Sequence, residues 1–219
     1  MSSGTDQVVS ASTETSALND VESSLPHAEP LDLFGNWLAE ARAAELNDPN
    51  AMALATATPD GRPSVRMVLL KEHGPQGFVF YTNAQSRKGQ EILANPQAAL
   101  LFHWKSLRRQ VRVEGILSEV TPAEANAYFH SRARVSQIGS AASDQTRPLA
   151  DRQTYLDRVS DLARRYPQGN IPRPEYWTGF RLDPHAIEFW LDRPNRLHDR
   201  RRFVRNPNDR GWTSSLLYP

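Results

Sequence analysis

The chain has 219 residues, 39% of them hydrophobic and 23% charged, which suits one soluble domain with a sizeable core. Its 26 Lys+Arg against 25 Asp+Glu leave a formal net charge of +1, no global attraction for nucleic acid, and the absence of cysteine excludes disulfides, thiolate metal sites and cysteine nucleophiles together. No apolar run approaches the ~20 residues that span a bilayer, and no basic segment leads into an apolar one as in a secretory leader, so the expected location is the cytoplasm.

In chain order, residues 1–25 are rich in Ser, Thr, Ala, Glu and Asp. They carry too little apolar surface to offset the entropy of ordering, so a disordered tail is expected, then a single domain over residues 26–219. Within 31–46, Phe34, Trp37, Leu38 and Ala41 recur at helical spacing and predict an amphipathic helix ended by Asp48-Pro49. Strands are expected at 52–57, 63–71 and 78–82, separated by Thr58-Pro59-Asp60-Gly61 and His73-Gly74-Pro75-Gln76-Gly77. Short turns between consecutive strands predict an antiparallel meander. Ser86 is placed to cap a short helix through Ala94, stopped by Asn95-Pro96. Strands at 98–104 and 109–120 follow, then a helix opened by Thr121-Pro122-Ala123-Glu124, a capping-box pattern with proline at its first position. Residues 151–166 predict another amphipathic helix, 177–182 and 186–191 two strands, and 196–205 with 212–217 a closing hairpin. Strands in both halves, helices between them and no βαβ alternation predict a mainly β fold with peripheral α-helices, an antiparallel barrel.

The chemistry-bearing residues form no familiar catalytic set. The six histidines, at 27, 73, 103, 130, 185 and 198, show no metal-ligand spacing, so no metal site is expected. Neither a phosphate-binding Walker loop, a nucleophile elbow nor a Gly-x-Gly-x-x-Gly turn is present. What stands out is a surplus of anion-binding groups in three places. Arg66, Lys71, Thr82, Ser86, Arg87 and Lys88 cluster on two strands and a helix start, which fits a phosphorylated small molecule or, equally, a solvated hairpin. Tyr128, Arg132 and Ser136 are spaced i, i+4, i+8 and would share one face of a continuous helix, either as a second phosphate clamp or as incidental polar residues. On a strand, Arg196, His198 and Arg200 would share one face, and two cations flanking an imidazole would weaken its hold on a proton. The seven arginines from Arg193 to Arg210 also leave a nucleic-acid surface to be considered, though no recognition helix or stacking aromatics accompany them.

Several ordered motifs then coincide: Arg66-Met-Val-Leu-Leu-Lys71, Phe80-Tyr-Thr-Asn83, Ser86-Arg-Lys88, Arg109-Gln-Val-Arg112, Tyr128-Phe-His-Ser-Arg132, Ser136-Gln-Ile-Gly139, Ile187-Glu-Phe-Trp190 and Arg196-Leu-His-Asp-Arg200. In this order they resemble the pyridoxamine 5'-phosphate oxidases, also called pyridoxine 5'-phosphate oxidases, over residues 31–219. The resemblance implies an FMN-binding split β-barrel that forms a homodimer with FMN at the subunit interface. It places Arg66, Met67, Val68, Leu69, Leu70, Lys71, Tyr81, Thr82, Arg87 and Lys88 at the FMN from one subunit. Gln110, Gln145, Thr146, Trp190 and Arg200 complete that site, several of them from the other subunit. It assigns the substrate phosphate to Lys71, Tyr128, Arg132 and Ser136, and the pyridine ring to Arg196, Leu197 and His198. Arg196, His198 and Asp48 are thereby the residues nearest the reaction. The implied reaction oxidises pyridoxamine 5'-phosphate or pyridoxine 5'-phosphate to pyridoxal 5'-phosphate, with oxygen as acceptor and hydrogen peroxide as product. A bound flavin supplies the redox chemistry, which fits the lack of a nucleophile or acid–base dyad.

The sequence departs from that family's pattern at three points. An Arg-Arg-x-Tyr segment is missing before Pro30, Ser140-Ala141-Ala142 stands where an aromatic is usual, and Leu216 where an arginine is usual. The competing readings are a related flavin oxidase of phenazine-pathway type acting on another substrate, and a flavin or pyridoxal-phosphate binding protein without turnover.

Overall fold

The computed structural model describes residues 25–219. Its elements are α1 (Pro30–Ala44), β1 (Ala51–Ala57), β2 (Pro63–Leu69), β3 (Glu72–Gly74), β4 (Gly77–Asn83), α2 (Arg87–Ala94), β5 (Gln97–Trp104), β6 (Arg109–Glu119), α3 (Pro122–Ser131), α4 (Arg134–Ala141), α5 (Arg152–Arg165), β7 (Trp177–Leu191), β8 (Asp199–Arg205) and β9 (Trp212–Leu216). The strands form a single antiparallel sheet of order β2-β1-β5-β6-β7-β4-β3, with β8 added along β7 and β9 along β8. The expected mainly β barrel with peripheral helices is therefore present.

The expected meander is not. β1 and β2 form a hairpin, with Ala51 opposite Leu69 and Ala57 opposite Pro63, but β4 pairs with β3 and β7 instead of β2. The chain crosses between the two ends of the sheet within residues 70–71: the Leu70 amide donates to Asn50 O on the β1 side, and the Lys71 amide donates to Val79 O on β4. The first and last strands of the sheet are thus joined through the chain and not through a ladder, which leaves the barrel split along that seam.

Apolar alternation sets the inside of the barrel. Met52 and Leu54 of β1, Leu100 and Phe102 of β5, Val111 and Val113 of β6, and Ile187 and Phe189 of β7 are all fully buried. Helix α1 lays Phe34, Trp37 and Leu38 against them. Phe34 meets the rings of Phe78 and Phe102 edge-on at 4.9 Å each, and Trp37 meets Phe189 at 5.1 Å. Leu25 is 2% exposed in this core, and its carbonyl accepts from Arg201 Nε at 3.1 Å, so ordered packing starts one residue inside the expected tail. The remainder of that tail lies outside the described residues. A second cluster of Phe129, Ile138, Ile171 and Trp177 fixes α3 and α4 against the start of β7.

Two strands expected at 177–182 and 186–191 are one. Pro184, which has no N–H to give a ladder, sits where the β6–β7 register shifts between Glu114 and Gly115, so the strand runs through its proline at a bulge. Gly115 lies opposite Pro184 with no room for a side chain: a Cβ there would stand 2.2 Å from the Asp183 carbonyl oxygen. Gly115→Ala should therefore cost about 1–3 kcal/mol of stability, read as a lower denaturant midpoint with an unchanged slope.

Candidate functional site

A cleft of about 510 Å³ opens beside the seam. Met67, Val68 and Leu69 of β2 form one wall and Tyr81, Thr82 and Asn83 of β4 another, with Lys71 between them. Tyr128 from α3, Arg132, and Ser136 and Ser140 from α4 stand across from these, and Lys88 and Gln145 close the base. The seam therefore brings together half of the residues expected from the sequence.

Lys88 is the most constrained of them. It is the second residue of α2, whose start is capped by Ser86 accepting from the Gly89 amide. The residue is 7% exposed, and its ammonium donates to Thr82 Oγ1 and Ser86 Oγ at 3.1 Å each and to Gln145 Oε1 at 2.7 Å. All three acceptors are neutral. Burial, aided by the nearby Arg66 charge, pulls the Lys88 pKa down from 10.5 to about 8. The Arg87 amide in the same turn donates to Thr146 Oγ1 at 2.8 Å, so residues 145 and 146 reach the helix start together.

Across the cleft, Tyr81 and Tyr128 stack with centroids 4.0 Å apart, and Trp177 lies nearly parallel to Tyr81 at 5.6 Å. Lys71 Nζ stands 5.8 Å over the Tyr128 ring, and the Arg132 guanidinium 4.8 Å over Trp177. Burial, then the Glu72 carboxylate, raises the Tyr81 phenol pKa, so it stays protonated and donates to Glu72 at 3.2 Å. Arg132 also donates to Ser140 Oγ at 2.9 Å. No acidic residue pairs with Lys71, Lys88 or Arg132 among the described residues. The cleft gathers one buried and two more accessible cations, hydroxyls and flat rings, and that chemistry suits a phosphorylated aromatic ligand.

The one-helix arrangement expected for Tyr128, Arg132 and Ser136 is replaced by two helices. α3 ends at Ser131, Arg132 is extended (φ −76°, ψ 152°), and α4 restarts at Arg134. The buried Gln137 side chain donates to Arg132 O at 2.8 Å, satisfying a carbonyl that a continuous helix would have used internally. The break keeps all three residues on the cleft by a different route.

The strand expected from residue 196 also fails. Pro194–Arg196 is a 3-10 turn, Asn195 and Arg196 are left-handed (φ 56° and 61°), and β8 begins at Asp199. Arg196 and His198 therefore do not share a strand face with Arg200. The neighbours of His198 are the Asp192 carboxylate at 2.9 Å from Nδ1, the Arg193 amide at 3.2 Å and the Trp190 ring at 4.6 Å, in place of two flanking arginines.

Other expected residues fall elsewhere. Gln110, Trp190 and Arg200 line a second cleft with Leu101, Arg112 and Glu188, and no residue lines both. Buried Glu188 accepts there from Arg112 at 2.5 Å and from Arg200 Nε at 2.8 Å. Leu70 is 4% exposed and packs into the core, outside the cleft. Arg66 and Arg87 both pair with Glu91, and neither lines the first cleft. Asp48 is an exposed left-handed residue (φ 44°), and Asp48, Arg196 and Leu197 lie outside both clefts of this protomer. Sequence reasoning missed Trp177, whose position two residues before the close-packed Gly179 was its only signal, and Ser140, noted there only as a departure. The terminal arginines considered for nucleic acid are engaged: Arg200 with Glu188, Arg202 with Glu114, and Arg205 and Arg210 with Asp183.

A split barrel whose seam carries an unpaired cationic, aromatic cleft defines a binder of phosphorylated ring compounds. Residues 38–165 match the family described as pyridoxamine 5'-phosphate oxidase, and residues 177–219 the pyridoxine 5'-phosphate oxidase C-terminal dimerisation region. The chain belongs to the pyridoxamine 5'-phosphate oxidase family, and it is a homodimer. Among its relatives, the pyridoxine/pyridoxamine 5'-phosphate oxidase of Novosphingobium aromaticivorans is 68% identical over 195 residues, covering 89% of this chain and 96% of that protein. The protein of the same name from Erythrobacter litoralis is 64% identical over 209 residues, covering 94% and 99%. PhzG of Burkholderia lata, solved with tetrahydrophenazine-1-carboxylic acid, superposes with a TM-score of 0.83 at 34% identity, over 89% of this chain and 94% of that one.

Because the Lys88 pKa is about 8, its charge is present at neutral pH and lost above that value. Affinity of the flavin-free protein for FMN, measured by calorimetry, should fall as pH rises from about 7 to 9 while affinity for riboflavin changes little. Lys88→Met should weaken FMN binding at neutral pH and flatten that dependence.

Proposed function

We propose that the protein is an FMN-dependent oxidase that converts pyridoxamine 5'-phosphate and pyridoxine 5'-phosphate to pyridoxal 5'-phosphate. The amine requires water and oxygen and yields ammonia and hydrogen peroxide; the alcohol requires oxygen alone and yields hydrogen peroxide. The observation that carries the reading is the cleft in which Lys71, Lys88 and Arg132 have no acidic partner among the described residues while lining one space with Tyr128, Ser136 and Gln145. Relatives 56–68% identical over most of the chain bear the name pyridoxine/pyridoxamine 5'-phosphate oxidase and support it.

FMN is the cofactor, and the residues suit it: a buried ammonium and hydroxyls at a helix start for its phosphate, apolar β2 side chains and flat rings for its ring system. When bound, it supplies the two-electron oxidation of the substrate C4' carbon and the reduction of oxygen. The protein's part is to bind and orient. Arg66, Thr82, Arg87 and Lys88 hold the FMN phosphate and ribityl chain in this reading, with Met67, Val68, Leu69, Tyr81, Gln145 and Thr146 around them. Gln110, Trp190 and Arg200 come from the second cleft, and a two-fold dimer is the means of uniting that cleft with the first. Lys71, Tyr128, Arg132 and Ser136 clamp the substrate phosphate, with Ser140 steadying Arg132. Arg196, Leu197 and His198 cover the pyridine ring, His198 being held by Asp192. Phosphate esters do not cross a bilayer unaided, so we place the enzyme in the cytoplasm, where both ligands are retained.

The rival is a flavin oxidase of phenazine type. PhzG holds a carboxylic acid, whereas three acid-free cations around one cleft favour a phosphate. In air, purified protein with FMN should release aldehyde and peroxide from both phosphorylated vitamers, and from unphosphorylated pyridoxine at least about tenfold less efficiently. Flavin binding without aldehyde from either vitamer would contradict the proposal.

A further inference from the structure

Glu91 lies on α2, outside the cleft, yet it is the most heavily engaged carboxylate near it. It is 5% exposed, and its Oε2 accepts from Thr56 Oγ1 and Ser64 Oγ at 2.5 Å each and from Arg66 at 3.2 Å. Its Oε1 accepts from Arg87 Nε at 2.8 Å. One side chain thus ties α2 to β1 and β2 and grips both arginines of the Arg66–Lys88 segment. Burial alone would raise its pKa, but the donors from Ser64, Thr56, Arg87 and Arg66 outweigh that and hold it at about 2, so it stays ionised.

We infer that Glu91 is a positioning residue that holds Arg66 and Arg87 as a preorganised clamp for the phosphate of FMN, an inference that rests on the reading of those arginines as phosphate ligands. The two guanidinium groups are committed to different degrees. Arg66 is largely spent: its terminal nitrogens donate to Leu54 O, Thr56, Ser64 and Glu91, which fixes its plane. Arg87 gives only Nε to Glu91, and neither terminal nitrogen has a partner among the described residues. Those two nitrogens form the planar fork that matches a phosphate in bidentate fashion. An exposed arginine ordinarily loses much rotamer freedom on binding; a carboxylate that already holds Nε removes part of that loss beforehand. Lys88, one residue on, faces the cleft from the same turn, so the anchored pair and the buried ammonium flank the helix start from two sides.

A carboxylate serving only to tie α2 to the sheet would affect every flavin alike; one that orients phosphate ligands affects only the phosphorylated flavin. The test titrates full-length dimer, freed of flavin, with FMN and with riboflavin and follows flavin fluorescence. For Glu91→Gln, the FMN Kd should rise about tenfold or more with the riboflavin Kd within about twofold of wild type. Arg87→Met should lose the same preference, and the double variant should lose little beyond either single one, as expected of groups acting as a unit. If Glu91→Gln keeps or strengthens the preference for FMN while Arg87→Met loses it, the inference is wrong and the clamp stands. If Arg66→Met and Arg87→Met both keep the preference, the clamp itself is wrong. Should Glu91→Gln not fold, Glu91→Asp keeps the charge but shortens its reach; a selective loss for FMN supports positioning, and equal losses for both flavins overturn it.

Discussion

The structure depends on how the sheet ends meet. β2 and β3 lie at opposite ends of the strand order, yet only residues 70–71 separate them in the chain. No ladder joins them, so the barrel is closed by a covalent connection and left open beside it. Backbone and side chains that would face a neighbouring strand face a cleft instead. Val68 and Lys71 on one margin, Thr82 on the other, and the helix start that follows β4 all owe their place to this geometry.

Around the seam the cations divide into two kinds. Arg66 and Arg87 share Glu91, and Arg112 and Arg200 share Glu188; each buried carboxylate holds two guanidinium groups. Such an arrangement offsets the cost of burying charge and fixes long side chains that would otherwise wander. Lys71, Lys88 and Arg132 have hydroxyls, amides or ring faces for company instead. A buried ammonium without a carboxylate is unfavourable alone, as the lowered Lys88 pKa records, and becomes favourable when an anion arrives. The fold therefore holds its binding energy in groups left without acid partners.

Much of this was legible in the sequence where local rules act. Ser86, Thr121 and Asp151 cap the helices they precede, and apolar alternation found β5 and β6 within a residue. The sequence singled out Lys71, Lys88, Tyr128, Arg132 and Ser136, and the structure brings them to one cleft. What failed was set by distant contacts. β4 pairs with β7, about a hundred residues later in the chain, and not with β2. The helix breaks at Arg132 because Gln137 supplies the hydrogen bond that permits it, and the turn at Pro194 gives up its ladder to a left-handed pair. Glu91 drew no attention as an ordinary acidic residue in a polar helix; only three-dimensional proximity to Thr56 and Ser64 shows what it holds.

The residues expected at the site fall in two clefts with no shared residue, and Val65 and Met67 on β2 are exposed apolar side chains at the first. We propose that each site takes one cleft from each protomer. Co-expression of Lys88→Met and Arg200→Met chains tests it directly. Each variant alone should be nearly inactive, but random mixing places one intact site in every heterodimer and should restore about a quarter of wild-type turnover per dimer. Turnover no greater than the average of the two parents would contradict the account and place both clefts' contributions within a single chain.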